Sequence, residues 1–267
     1  MVIRKNIEKK YAFISVYDKS ELAYLCKNLK KNYFKFISTG TTYKKIKSLG
    51  FQCLDLSKLT KVKELLDGRV KTLNHKLYGS ILYKRDNIKH LKEFNNLEIP
   101  NINLVIVNLY PFEKFTKKSK EQAIEMIDVG GLSLIRASAK NYNFVTVIFK
   151  TKQYMALIKN LERNNGITDI NFRKKLAANA FKYTSDYDNN INKWFVGRNK
   201  INKKTNLRYG ENPNQNSFVI EKGIKKTYDL QLNGKKLSYN NILDVDIGLK
   251  CLSEFKEPTC VIVKHNN

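Results

Sequence analysis

Four short segments of this 267-residue sequence combine residue types that handle anions and protons: SVYDKS (15–20), STGTT (38–42), NLYPF (108–112) and DVGGLSLIRASAKN (128–141). STGTT sets hydroxyls and backbone N–H groups ahead of a helical stretch, where the helix dipole favours an anion. The same residue types also serve as plain N-caps. The two glycines of DVGG either let the backbone approach a ligand closely or simply make a tight turn. A fifth segment, DGRVKTL (67–73), puts Arg69, Lys71 and Thr72 within four residues in a turn-like context. A lysine beside exposed amides can neutralise a developing oxyanion, although the segment standing alone reads first as a solvated basic face.

The elements that must position these segments alternate between short β-branched or aromatic runs and longer helical patterns, the mark of βαβ units and a mainly parallel sheet. Strands are expected at 11–17, 34–38, 51–56, 103–110 and 143–149, and helices at 18–31, 42–49, 151–163 and 168–195. In the helix at 18–31, Leu22, Leu25 and Leu29 share one face. NLVIVNLY (103–110) is apolar on both faces, as a central parallel strand would be. In such an open α/β sheet, ligands bind outside the carboxyl ends of the strands, where the four segments fall. The polar, Asn-rich stretch 197–217 marks a domain boundary, followed by a helix at 240–255 and an apolar strand, TCVIVK (259–264).

The formal charge of +26 raises nucleic acid or a membrane surface as partners. Its composition argues otherwise: 42 Lys against 8 Arg, spread along a chain also rich in Asn and Ile, fit mutational drift on a solvated surface. A nucleic-acid reader would use Arg for bidentate contacts. No apolar h-region or span of membrane length is evident, so a cytoplasmic protein with no membrane partner is expected. Cys26, Cys53, Cys251 and Cys260 lack CxxC spacing, and His75, His90 and His265 do not pair at i, i+4, so no metal site is expected.

Taken in order, SVYDKS, STGTT, DGRVKTL, VNLYPF, DVGGLSLIRASAKN, LRYGENPNQ (207–215), LSYNNILD (237–244) and VIVKHNN (261–267) resemble the bifunctional purine-biosynthesis enzymes that combine AICAR transformylase with IMP cyclohydrolase. The resemblance implies a Rossmann-like, methylglyoxal-synthase-like α/β domain over residues 1–198. Residues 199–267 would be the incomplete start of a transformylase domain with a cytidine-deaminase-like α/β fold. It implies dehydrative ring closure of formyl-AICAR to IMP, without cofactor or metal. Formyl transfer to AICAR from 10-formyltetrahydrofolate is expected to be absent from a chain that stops at Asn267, where the family continues. The family pairs two chains into a homodimer.

By the same resemblance, Lys19, Ser38, Thr39, Gly40 and Thr42 hold the ribose 5′-phosphate. Lys71 and the amides of Arg69 to Lys71 face the formyl oxygen, and Arg69 and Thr72 count among the substrate-binding residues. Asp128 and Lys140, held close together, form the acid–base group with Tyr110. Asn108 and the amides of Gly130 and Gly131 fit the base edge. Arg208, Tyr209 and Asn240 match transformylase substrate contacts, and Lys264 and His265 match the pair that handles formyl transfer. Two departures from the family pattern stand out. Thr41 replaces a glycine, which costs on the order of 1–2 kcal/mol if the position needs a positive φ. Asn74-His75 replaces His-Pro, which would loosen the oxyanion turn. Competing readings are a methylglyoxal-synthase-like phosphate-binding enzyme, an inactive remnant of the bifunctional enzyme, and a basic nucleic-acid-binding module.

Overall fold

The computed structural model describes residues 10–62, 66, 69–116, 118–196, 203–221 and 233–264, and the chain divides into two compact units, Met1–Ile191 and Asn192–Asn267. In the first unit the order is β1 (Lys10–Val16), α1 (Leu22–Lys31), β2 (Phe34–Ser38), α2 (Gly40–Ser48), β3 (Cys53–Asp55) and α3 (Leu56–Thr60). It continues with α4 (His75–Leu82), α5 (Ile88–Asn95), β4 (Ile102–Asn108), α6 (Phe112–Phe115), α7 (Lys120–Glu125) and α8 (Gly130–Lys140). β5 (Thr146–Ile148), α9 (Tyr154–Arg163) and α10 (Ile170–Val196) follow.

All five strands are parallel, in the order β3-β2-β1-β4-β5. The chain winds outward from β1 to β3 and then crosses back to β4 on the other side of β1. That reversal opens a crevice beyond the carboxyl ends of β1 and β4, where α/β sheets take their ligands. β1 and β4 form the centre of the core: Phe13, Ile14, Leu104, Val105 and Ile106 are all buried, as the two-sided apolar run at 103–110 requires.

The helical faces follow the expected periodicity, with Leu22, Leu25, Cys26 and Leu29 of α1 buried together. The helix starts four residues later than expected. Asp18 Oδ1 accepts the Ser20 N–H (3.0 Å) and the Ser20 hydroxyl (2.8 Å), an Asx turn that takes 18–20 out of the helix. β4 likewise stops at Asn108, whose side chain turns to the backbone of Asp18 and accepts its N–H at 2.9 Å.

In the second unit β6 (Lys203–Asn206) pairs antiparallel with β7 (Phe218–Glu221), and α11 (Tyr239–Ser253) opens on a capping box between Ser238 and Asn241. The strand expected at 259–264 does not form. A strand needs a neighbour to satisfy its backbone, and among the described residues none pairs with this segment, whose Ile262 is 92% exposed. No helix of the described residues is long and apolar enough to cross a membrane.

Candidate active site

The crevice is built from four loops. On the β2 side, Thr39 is extended (φ −144°, ψ 159°) and α2 begins at Gly40, whose φ of +53° turns the chain into the helix. The left-handed position therefore belongs to the glycine that is present. Thr41 has no positive φ, so the expected strain does not arise. The first intrahelical donor of α2 is Tyr43 N–H, to Thr39 O at 3.2 Å, which leaves the amides of residues 40–42 facing the crevice end of the helix.

The hydroxyls of Ser38 and Thr42 are engaged with the backbone of β1. Thr42 Oγ1 accepts the Val16 N–H (3.1 Å) and donates to the Val16 carbonyl (3.0 Å), while Ser38 Oγ donates to the Ile14 carbonyl (2.6 Å). Both residues are buried, as is Thr39. Ser38 and Thr42 thus stitch β1 to β2 and α2. Lys19 stands half-buried beside the loop, its Nζ 3.1 Å from the Tyr17 carbonyl. Desolvation lowers its pKa, opposed by the neighbouring Asp18 charge.

On the β4 side, the Tyr110 backbone N–H donates to the Asp128 carboxylate, and the Gly131 N–H donates to Asp128 Oδ1 at 2.7 Å. Asp128 therefore caps the start of α8, and the Gly131 amide is occupied by it. Burial raises the Asp128 pKa, while these two amides pull it down without cancelling the rise. The Tyr110 ring is exposed at the crevice mouth and meets Tyr17 edge to face, with centroids 5.3 Å apart.

Both DVGG glycines let neighbouring side chains approach closely. A Cβ on Gly130 would come within 2.5 Å of Thr72 Oγ1, and one on Gly131 within 2.6 Å of Asp128 Oδ2. Thr72 is thus pressed against the start of α8 and is buried, while Lys71 is half-buried. Its turn is tied down without the His-Pro pair: the Asn74 N–H donates to the Thr72 carbonyl (2.9 Å), and the Asn74 side chain caps α4 by accepting the Lys76 N–H (2.9 Å). Arg69 forms an exposed ion pair with Glu125, and its amide donates to the Leu66 carbonyl at 3.0 Å. That amide is therefore committed within the turn.

The expected closeness of Asp128 and Lys140 is not seen. Asp128 precedes α8 and Lys140 is its last residue, exposed, so about 16 Å of helix lies between them. A direct proton exchange between the two is outside hydrogen-bond reach.

Sequence reasoning missed a set of tyrosines behind these loops. Tyr187 Oη accepts the Asp128 N–H (3.0 Å) and donates to the Met126 carbonyl (3.3 Å). Tyr183 accepts the Leu109 N–H, Tyr154 accepts from the Asn108 side chain, and Tyr78 is hydrogen-bonded to Ser133. Burial pushes all four phenols up, Tyr187 to about 12. The legible signal was the i, i+4 spacing of Tyr183 and Tyr187 on a helix. A groove of about 450 Å³ opens behind Asp128 between α8 and α10, past Leu132, Arg136 and Asp188.

In the second unit, LRYGEN and LSYNN come together. The Arg208 N–H donates to the Leu237 carbonyl (2.8 Å), the Tyr239 N–H to the Tyr209 carbonyl (3.0 Å), and Asn240 Nδ2 to the Glu211 carbonyl (3.4 Å). The Arg208 guanidinium lies over the Tyr209 ring at 4.7 Å. Lys264 is exposed, and His265 lies outside the described residues.

The five-stranded parallel sheet and its crevice define an MGS-like α/β domain, and residues 21–133 match the MGS-like domain family. Residues 138–267 match the AICARFT/IMPCHase bienzyme family. The bifunctional purine biosynthesis protein PurH of Lactobacillus acidophilus is 42% identical over 276 residues, covering 97% of this chain and 54% of the relative. That of Clostridium botulinum (strain Loch Maree) is 42% identical over 270 residues, covering 96% and 54%. The crystal structure of ForH superposes with a TM-score of 0.61 at 30% identity, over 70% of this chain and 98% of that one. The chain belongs to the PurH family of AICARFT/IMPCHase bienzymes, and it spans about half the length of the curated relatives it matches.

Proposed function

We propose that the first unit is an IMP cyclohydrolase that closes formyl-AICAR to IMP in de novo purine biosynthesis. The observation that carries this reading is the juxtaposition around Asp128: a buried carboxyl with a raised pKa, held by the Tyr110 amide, with Thr72 against the neighbouring Gly130. The ribose 5′-phosphate takes the N-terminus of α2 with Lys19, and Asn108 with the exposed Tyr17 and Tyr110 rings borders the base. The carboxamide nitrogen attacks the formyl carbon, and its proton passes to Asp128. Lys71 neutralises the oxygen as the tetrahedral intermediate forms. Asp128 returns that proton to the oxygen, giving a hydroxyl on the tetrahedral carbon; as the C–O bond breaks and the C=N bond forms, the hydroxyl leaves as water with the proton of the formamido N–H, and the second ring is closed. A carboxyl whose pKa is raised toward neutrality suits both transfers. The chemistry needs no metal or cofactor.

The test is IMP absorbance on adding formyl-AICAR to the purified chain, with Asp128→Asn lowering kcat about a hundredfold or more. No IMP from the parent chain, or an undiminished rate in Asp128→Asn, overturns the assignment. The Arg208, Tyr209 and Asn240 cluster is proposed as part of the AICAR contacts of the transformylase, which uses 10-formyltetrahydrofolate. The working assembly is proposed to be a homodimer.

A further inference from the structure

The loops that carry Tyr110 and Asp128 are separated in sequence, and two rungs of one helix hold them both. Tyr183 and Tyr187 are one turn apart on α10 and so share a face. Tyr183 takes the N–H of Leu109, immediately before the Tyr110 amide that bonds Asp128. Tyr187 takes the Asp128 N–H and donates to the Met126 carbonyl, spanning the turn into α8.

Each phenol is itself fixed. The Tyr183 ring stacks on Phe149 (centroids 5.0 Å, planes 21° apart), with Lys150 Nζ 4.8 Å over its centre, and Tyr187 is 8% exposed. We propose that Tyr183 and Tyr187 are positioning residues for ring closure, and that α10 acts as a ruler setting the Tyr110 amide against the Asp128 carboxylate. This rests on the cyclohydrolase reading of Asp128. Neither hydroxyl is assigned to substrate; each acts through the backbone group it holds.

The consequence can be read in the titration of Asp128. Its carboxylate keeps two amide donors that favour the charged form, and one of them is the Tyr110 N–H. Tyr183→Phe frees Leu109 and slackens that donor, and Tyr187→Phe frees the backbone of Asp128 itself. In either variant the charged form loses support, so Asp128 titrates at higher pH and the acid limb of the kcat profile moves up with it.

The experiment compares Tyr183→Phe and Tyr187→Phe with the parent chain by pH–rate profile and by carboxyl-carbon NMR titration of Asp128 without substrate. The expected result in a folded variant is kcat lower by about tenfold with KM within about twofold, together with an upward shift of on the order of half a pH unit in both limb and titration. If Tyr187→Phe does not fold, Tyr183→Phe decides. Folded variants that melt earlier but keep the parental Asp128 titration overturn the proposal, because a merely structural role would do that. If the parent makes no IMP, the cyclohydrolase reading fails, while the NMR titration still shows whether the two tyrosines set the environment of Asp128.

Discussion

Ionisation of Asp128 works against the stability of the fold that holds it. Its folded pKa lies above the unfolded value, so the folded state is favoured below the unfolded pKa and loses that advantage as pH rises through the folded pKa. Asp128→Asn is therefore expected to raise Tm near pH 8 and to leave it nearly unchanged near pH 3, where both states are protonated. Thermal melts across that range check this, and an equal gain at both ends would refute it. The Thr42 hydroxyl holds the end of β1 to α2. Thr42→Val would strand the buried Val16 N–H and carbonyl and is expected to cost about 2 kcal/mol in denaturant unfolding, with Thr42→Ser recovering most of it. The loop at 38–42 was legible as the start of a helix from its residue types. The use of its hydroxyls was not, because a threonine that closes a β1–α2 contact and one that faces a ligand have the same local sequence.

Among the elements, α8 decides most of the site, and it shows where sequence reading stops. The segment 128–141 was singled out for its residue types, but quoting Asp128 and Lys140 as one motif hid the helix between them. A rise of 1.5 Å per residue separates the two whatever their shared membership of a motif. Strand β4 was readable because two-sided burial demands a continuous apolar run, whereas TCVIVK satisfied the same pattern without a neighbour to pair with among the described residues. The start of α8 is set by Gly130 against Thr72. Gly130→Ala is expected to destabilise the unit by about 1–3 kcal/mol through overpacking and to cut cyclisation by pushing the Lys71 loop away. Adding Thr72→Ala removes the oxygen that the new Cβ meets, so a double-mutant cycle should show a favourable coupling. Additive losses would mean that the two elements are not in register through this contact.

At the scale of the whole molecule the two units differ in how much they have closed. The first buries the central strands of a five-stranded sheet and flanks them with amphipathic helices. In the second, α11 has no buried residue, Leu249 and Phe255 are exposed, and Ile262 near Lys264 is almost fully so. Formyl transfer asks a weakly nucleophilic amine to attack in competition with water, which requires a site that excludes solvent. On the cyclohydrolase reading of the first unit, the 267-residue polypeptide is expected to convert formyl-AICAR to IMP, and formation of formyl-AICAR from AICAR and 10-formyltetrahydrofolate tests the reading of the Arg208–Tyr209 cluster. The two assays run on one preparation separate the units. Turnover in the second assay would show that the transfer site closes within these residues, whereas IMP formation alone would assign the chemistry of this chain to the crevice beyond β1 and β4.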